Sequence, residues 1–195
     1  MKDYSNNKKY QALLIKGKEK FWRYGLRRVT IEEVCQEASV SKMTFYKFFP
    51  NKTMLAKTII RNMMEKVMDD YSALLVSDRS VEDKITRTIF MEVKTSEGIS
   101  IEFINDIYNN NETELIDLLE HYKKEAKTMM YSLLVQAQEE GVIRKDVKIE
   151  FILYQIDKVF ETLKNEELIS QYSSFREYSL ENINFLLYGL MPKKC

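Results

Sequence analysis

Positions 41 to 52 read Ser41-Lys42-Met43-Thr44-Phe45-Tyr46-Lys47-Phe48-Phe49-Pro50-Asn51-Lys52. Wound as a helix from Ser41, this stretch puts Lys42, Met43, Tyr46 and Lys47 on one face and Phe45, Phe48 and Phe49 on the other. The first face carries the groups that read nucleic acid. Lys42 and Lys47 can donate to guanine O6 or N7, or to phosphate. Thr44 offers a hydroxyl and a methyl, and Met43 an apolar surface suited to a thymine methyl. Tyr46 and Thr30 can donate to phosphate oxygens, and helix N-termini at Thr30 and Ser41 add oriented N–H groups. Each residue also has a plainer reading. Thr30 and Ser41 serve equally as helix caps, the lysines as solvated charges, Tyr46 as packing and Met43 as neutral surface.

Residues for catalysis are scarce. His121 is the single histidine, set among Glu120, Lys123, Lys124 and Glu125 on what reads as a solvated helix face. That excludes His-rich metal sites and paired-histidine chemistry. Cys35, between Val34 and Ala38, reads as a small buried apolar residue rather than a nucleophile, and Cys195 is a tail thiol. Two cysteines make no disulfide framework. No P-loop, nucleophile elbow or dinucleotide fingerprint occurs. No enzyme, cofactor or metal site is expected.

The elements that must position the basic face follow from composition. Among 195 residues there are five Gly and two Pro, so sharp turns are few and long helices are favoured. The longest stretches without a charge, Thr128 to Gln138 and Asn182 to Pro192, are eleven residues long, about half of a bilayer span. An all-α, soluble, cytoplasmic chain is expected. Its net charge of zero is unevenly spread. Residues 1 to 60 hold thirteen Lys or Arg against five Asp or Glu, and the remainder is acidic to the same extent. A basic segment of that kind suits a polyanionic partner.

A first helix carries Tyr10, Leu13, Leu14, Gly17, Phe21 and Tyr24, and Gly25 stops it in a left-handed conformation. Thr30 and Glu33 form a capping box for a short second helix, and Ser41 caps a third that Pro50 closes. Asn51 caps a long connector from Lys52 to about Val76, and Ser80 a helix through Lys94. A short helix holds Phe103 to Tyr108, then Asn111 and Glu114 open a regular helix that ends at Gly141. Helices Ile149 to Leu163 and Phe175 to Leu190 are apolar on more than one face and must bury both, either in one core or partly against another chain. The expectation is about nine helices: a helix-turn-helix headpiece over 1–50 and a helical ligand-sensing and dimerisation bundle over 51–195.

In order and spacing, Phe21-x-x-x-Gly25, Thr30-Ile31-x-x-Val34-Cys35, Ala38-Ser39-Val40-Ser41, Thr44-Phe45-Tyr46-x-Phe48-Phe49 and Asn51-Lys52 resemble the N-terminal motif of the TetR family of transcriptional regulators. The likeness covers roughly residues 10 to 57, with Glu140-Gly141-Val142-Ile143-Arg144 similar to a common later segment. Three positions depart from the pattern: Ser39 for the usual Gly, Cys35 for Ala, and Phe48 for His or Tyr. Ser39 must then accept a turn geometry that Gly takes freely.

The resemblance implies a DNA-binding set of Thr30, Ser41, Lys42, Met43, Thr44, Tyr46, Lys47 and Lys52, the last as a phosphate-clamping lysine. Arg27 and Arg28 are possible further backbone contacts. It also implies a homodimer through the last two helices on a palindromic double-stranded DNA operator, and a repressor released by an unknown small-molecule effector. Met63, Met64, Phe90, Phe103, Tyr108, Met129 and Met130 could line an apolar pocket, but a Met or aromatic stripe at helical spacing is core more often than pocket, so no ligand-binding residue is assigned. A second reading is a helical small-molecule-binding or interaction protein whose headpiece no longer reads DNA, motivated by Ser39 and Met43. A helical-bundle enzyme comes third.

Overall fold

The computed structural model describes residues 4–109 and 112–191. Among the described residues there are ten helices and no strands. The headpiece comprises α1 (Lys8–Tyr24), α2 (Ile31–Glu37) and α3 (Lys42–Phe48). The connector is α4 (Lys52–Leu75). The bundle is α5 (Val81–Thr95), α6 (Ile101–Tyr108), α7 (Thr113–Glu139), α8 (Ile149–Thr162), α9 (Glu166–Ile169) and α10 (Phe175–Leu190).

Capping residues set most of these bounds. Asn51 accepts from the Met54 N–H at 2.8 Å to start α4, and Ser80 accepts from Asp83 N–H at 3.2 Å to start α5. The expected cap at Asn111 lies outside the described residues, and α7 begins after Glu112 with no side-chain cap. The tenth helix, α9, is one turn that Asn165 caps through the Leu168 N–H at 3.1 Å. Four residues show no periodicity, which is why the sequence count came to about nine.

Two apolar clusters fill the interior. The larger joins the headpiece to α4, α6, the start of α7 and the end of α8, with Leu13, Phe21, Phe45, Leu55 and Leu115 fully buried. Burying each such side chain contributes about 1.5–3 kcal/mol before ordering costs. Gly17 lets α1 lie close on α4, since a Cβ there would stand 2.9 Å from the Leu55 side chain. The smaller cluster joins the beginnings of α5 and α8 to the end of α7 through Val81, Leu133, Ala137 and Ile152. The loop after α7 is tied to the end of α10, with the Arg144 N–H donating to the Leu190 carbonyl at 2.9 Å.

Gly25 has the positive φ expected of it, 82°, but its ψ is 164°, so the chain leaves extended rather than coiled left-handed. That exit delivers Leu26 and Val29 into the core. The candidate pocket residues do not converge. Phe103 stacks on Trp22 with ring centroids 4.6 Å apart, Phe90 is 70% exposed, and Met63 and Met130 pack against different clusters.

Candidate nucleic-acid interface

The entry to α2 is a complete capping box. The Glu33 N–H donates to Thr30 Oγ1 at 3.2 Å, and the Thr30 N–H donates back to Glu33 Oε2 at 2.7 Å. These bonds to its ionised form hold Glu33 below the usual carboxylate range. Between α2 and α3 the chain turns at Ser39, whose φ is +53°, the only positive value at a non-glycine among the described residues. Ser39 takes the left-handed conformation where the motif usually has Gly, and the Val40 N–H to Cys35 carbonyl bond (2.9 Å) closes the turn. Cys35 is buried and unbridged, and burial pushes its thiol pKa up, as a packing role requires.

Ser41 then caps α3, accepting from the Thr44 N–H at 3.2 Å, and its hydroxyl also meets Thr44 Oγ1 at 3.0 Å. The root of α3 is aromatic. Phe45 and Phe49 are buried, Phe49 stacks on Tyr10 at 5.1 Å, and Phe48 meets Tyr10 edge-on at 5.5 Å. Opposite that root Met43 is 83% exposed, and Tyr46, Lys42 and Lys47 are exposed beside it. Thr44 is half-buried. The expected split between rooted and outward faces is present.

Two of the lysines have protein partners that the sequence did not reveal. Lys42 forms an ion pair with Glu32 of α2, which raises the lysine pKa and lowers that of the glutamate. Lys52 reaches back across the headpiece, with Nζ donating to the Val29 carbonyl at 2.7 Å and the Arg27 carbonyl at 3.2 Å. Partial burial lowers its pKa, and Asp106, Glu112 and Glu33 offset that in part. Lys52 therefore staples the loop that leads into Thr30, with donor capacity left over.

A second basic feature adjoins this loop. Arg23, Arg28 and Lys20 lie over the Tyr24 ring at 5.2, 5.4 and 5.7 Å from its centroid. Arg23, Tyr24, Arg27 and Arg28, with Glu102 and Asp106 from α6, line an open depression of about 560 Å³. The sequence flagged Arg27 and Arg28 but not the ring that gathers these charges. The doublet and its nearness to Tyr24 were the available signal.

The headpiece is joined to the bundle through α6. The Arg27 N–H donates to Asp106 Oδ2 and the Ser100 N–H to the Trp22 carbonyl, both at 2.8 Å. Lys57 of α4 also pairs with Glu114 of α7 at 2.8 Å.

Residues 13–59, which hold the capping box, the turn, α3 and the start of α4, match the family model of "Bacterial regulatory proteins, tetR family". Over this stretch the chain is similar to the TetR family. That family and the structural neighbours are transcriptional regulators rather than enzymes. Among curated relatives, the HTH-type transcriptional repressor KstR2 of Mycolicibacterium smegmatis is 20% identical over 133 residues, 66% of this chain and 64% of that repressor. The uncharacterised HTH-type transcriptional regulator YdgC of Bacillus subtilis is 19% identical over 176 residues, 87% of this chain and 86% of its own. A putative transcriptional regulator from Saccharomonospora viridis, solved in complex with choline, superposes with a TM-score of 0.72 at 15% identity over 94% of this chain and 98% of that one. At that identity the superposition speaks for the fold. Among the described residues no helix is long and apolar enough to cross a membrane, and no group of His, Cys, Asp and Glu could hold a metal ion.

Proposed function

We propose that this chain is a TetR-family repressor that binds a near-palindromic operator as a homodimer and is released by a small-molecule effector. Thr30, Ser41, Lys42, Met43, Thr44, Tyr46, Lys47 and Lys52 make the DNA contacts in this reading. The observation that carries it is the outward face of α3, Met43, Tyr46 and Lys47 standing clear of an aromatic root. A helix so held can enter a major groove without disturbing its own packing. Lys42 and Lys52 exchange part of their protein contacts for phosphate on binding, and Lys52 also holds Thr30 in place to meet the backbone.

One headpiece reads only a few base pairs, so two are needed, set about one helical turn apart on the duplex. Exposed aromatic residues on α8 (Phe151, Tyr154) and α10 (Phe185, Tyr188) support an interface there. Residues 1–50 serve as the DNA-binding domain and 51–195 as the sensing and dimerisation domain, with α4 and α6 as the links. A relative holding choline supports a small-molecule effector for this bundle. The alternative, a headpiece that no longer reads DNA, loses one of its grounds because Ser39 takes the required turn.

Selection of bound DNA from random duplexes tests the reading. The expected result is an enriched palindrome bound with nanomolar-scale affinity that weakens steeply with salt. No enriched sequence, with no binding even at low salt, defeats it.

A further inference from the structure

The middle of the bundle is polar where its two ends are apolar. Tyr71 of α4 and Tyr122 of α7 are buried but belong to neither apolar cluster. On α5 and its C-cap, Lys84, Thr88, Glu92 and Ser96 recur every four residues and so share one face. Lys84 and Ser96, at the ends of this stripe, are buried, while Phe90 across the helix is 70% exposed. The two ends of the stripe therefore face inward.

Its donors are all engaged. Lys84 Nζ donates to the Leu75 carbonyl at 2.8 Å, Thr88 Oγ1 to the Lys84 carbonyl at 2.9 Å, and Ser96 Oγ to the Val93 carbonyl at 2.7 Å. Glu92 differs. Among the described residues no side chain hydrogen-bonds or ion-pairs with its carboxylate. The residue is exposed to solvent, yet the protein crowded around it desolvates the carboxyl and pushes its pKa up. A carboxylate that is both crowded by protein and open to solvent suits the wall of a solvent-filled recess among the helices.

Tyr71 points to the same space independently. It is 5% exposed, and its hydroxyl has no hydrogen-bond partner. Thr88 is near enough to favour the phenolate slightly without forming a hydrogen bond of ordinary geometry. Desolvation, with Glu92 adding to it, pushes the phenol up to about 12. A buried hydroxyl left unmet costs free energy, and so does a desolvated carboxylate without a counter-ion.

We propose that Glu92, with Tyr71 and Thr88 beside it, is the anchor of a site for a compact organic cation, a primary amine or quaternary ammonium. The assignment rests on the reading of the bundle as the effector domain. The carboxylate supplies the counter-charge and the Tyr71 ring an electron-rich wall. The free hydroxyl bonds a polar group on the ligand. Lys84, two turns back on the same face, does not compete, since its Nζ donates to the Leu75 carbonyl. An anion entering the same space meets an unscreened like charge.

Three probes of similar size and different charge test this: benzyltrimethylammonium, benzyl alcohol and benzoate, followed by calorimetry and thermal shift on the full chain, with tetramethylammonium and hexylamine extending the cation series. The expected result is that a cation binds and raises the Tm of the natural protein while the alcohol and benzoate do not. Glu92→Gln should weaken the cation at least about tenfold, the loss of a charge-assisted contact, with its unliganded Tm unchanged or higher. Tyr71→Phe should weaken it less. The assignment is overturned if no cation in the series binds, if benzoate binds as well as the cation, or if Glu92→Gln retains full affinity. DNA selection on the unliganded protein separates the two readings, because a failed operator search leaves Glu92-dependent cation binding standing.

Discussion

Ser39 holds the turn of the helix-turn-helix at a φ of +53°, a conformation that costs an L-residue about 1–2 kcal/mol. Glycine removes that strain but adds freedom to the unfolded chain, and the two effects are of similar size. Ser39→Gly should therefore move stability by less than about 1 kcal/mol, while the β-branched Ser39→Val should lower it by about 1–2 kcal/mol or more. Urea titration of the two variants checks this, and an equal loss for both would remove strain as the explanation. Lys52 and Lys47 divide in another way. Lys52→Ala abandons the Val29 and Arg27 carbonyls and should cost about 1–2 kcal/mol of stability as well as affinity for every DNA sequence. Lys47→Ala, at an exposed site with no such bonds, should leave Tm unchanged and alter base preference. The outward face of α3 was legible because it depends on helical spacing alone. Glu32 as the partner of Lys42, and the two carbonyls under Lys52, were not, since both depend on how the helices come together in space.

Between elements, the capping box gives the headpiece a pH dependence of definite sign. Glu33, Glu32 and Glu37 all titrate below the ordinary glutamate value, held there by Thr30, Lys42 and Lys20 respectively. As pH falls through the window between the ordinary and the lowered values, the unfolded chain binds protons that the folded headpiece does not. Their stabilisation is thus complete above the ordinary value, about 4.3, and is lost as pH drops through the lowered values. Urea midpoints from neutral to acid pH should fall less steeply for Glu33→Gln than for the natural protein, and parallel curves would exclude the box as a source. Thr30→Val should cost about 1 kcal/mol at neutral pH, the usual worth of an N-cap. A tighter junction sits at Gly25. A Cβ there would stand 2.6 Å from Asp106 Oδ2 at a φ that side chains rarely adopt. Gly25→Ala should therefore break the Arg27 N–H to Asp106 bond and loosen the headpiece from α6, seen as faster amide exchange over residues 25–30. The bounds of the long helices could be read from Ser, Thr and Asn caps and apolar stripes. The contact of α6 with the loop after α1 could not, because those residues lie about eighty positions apart in the chain.

At the scale of the molecule, the basic N-terminal third and the acidic remainder divide attraction for DNA from repulsion of it. In the proposed dimer such a body binds a duplex well only if both headpieces engage together, so subunit association and salt dependence would be linked. Phe185 and Tyr188 of α10 are 79% and 86% exposed, with Phe151 and Tyr154 of α8 also uncovered, and a subunit interface across these helices would cover them. A stable dimer buries about 1,200–2,000 Å² in total, and aromatic residues at its centre carry most of the binding energy. Replacing Phe185 by Asp and Tyr188 by Ser should therefore give a folded monomer, with the helical signal intact and half the mass in sedimentation. Its affinity for a full operator should fall to that of a half-site. Each phosphate contact contributes about 0.9 to the slope of log affinity against log salt, so the slope should drop to about half of the dimer's while base preference within the half-site stays the same. A double variant that still sediments as a dimer with an undiminished slope would move the interface away from α10. A monomer with the full slope would instead mean that one headpiece makes all the phosphate contacts, and the operator would then need no symmetry.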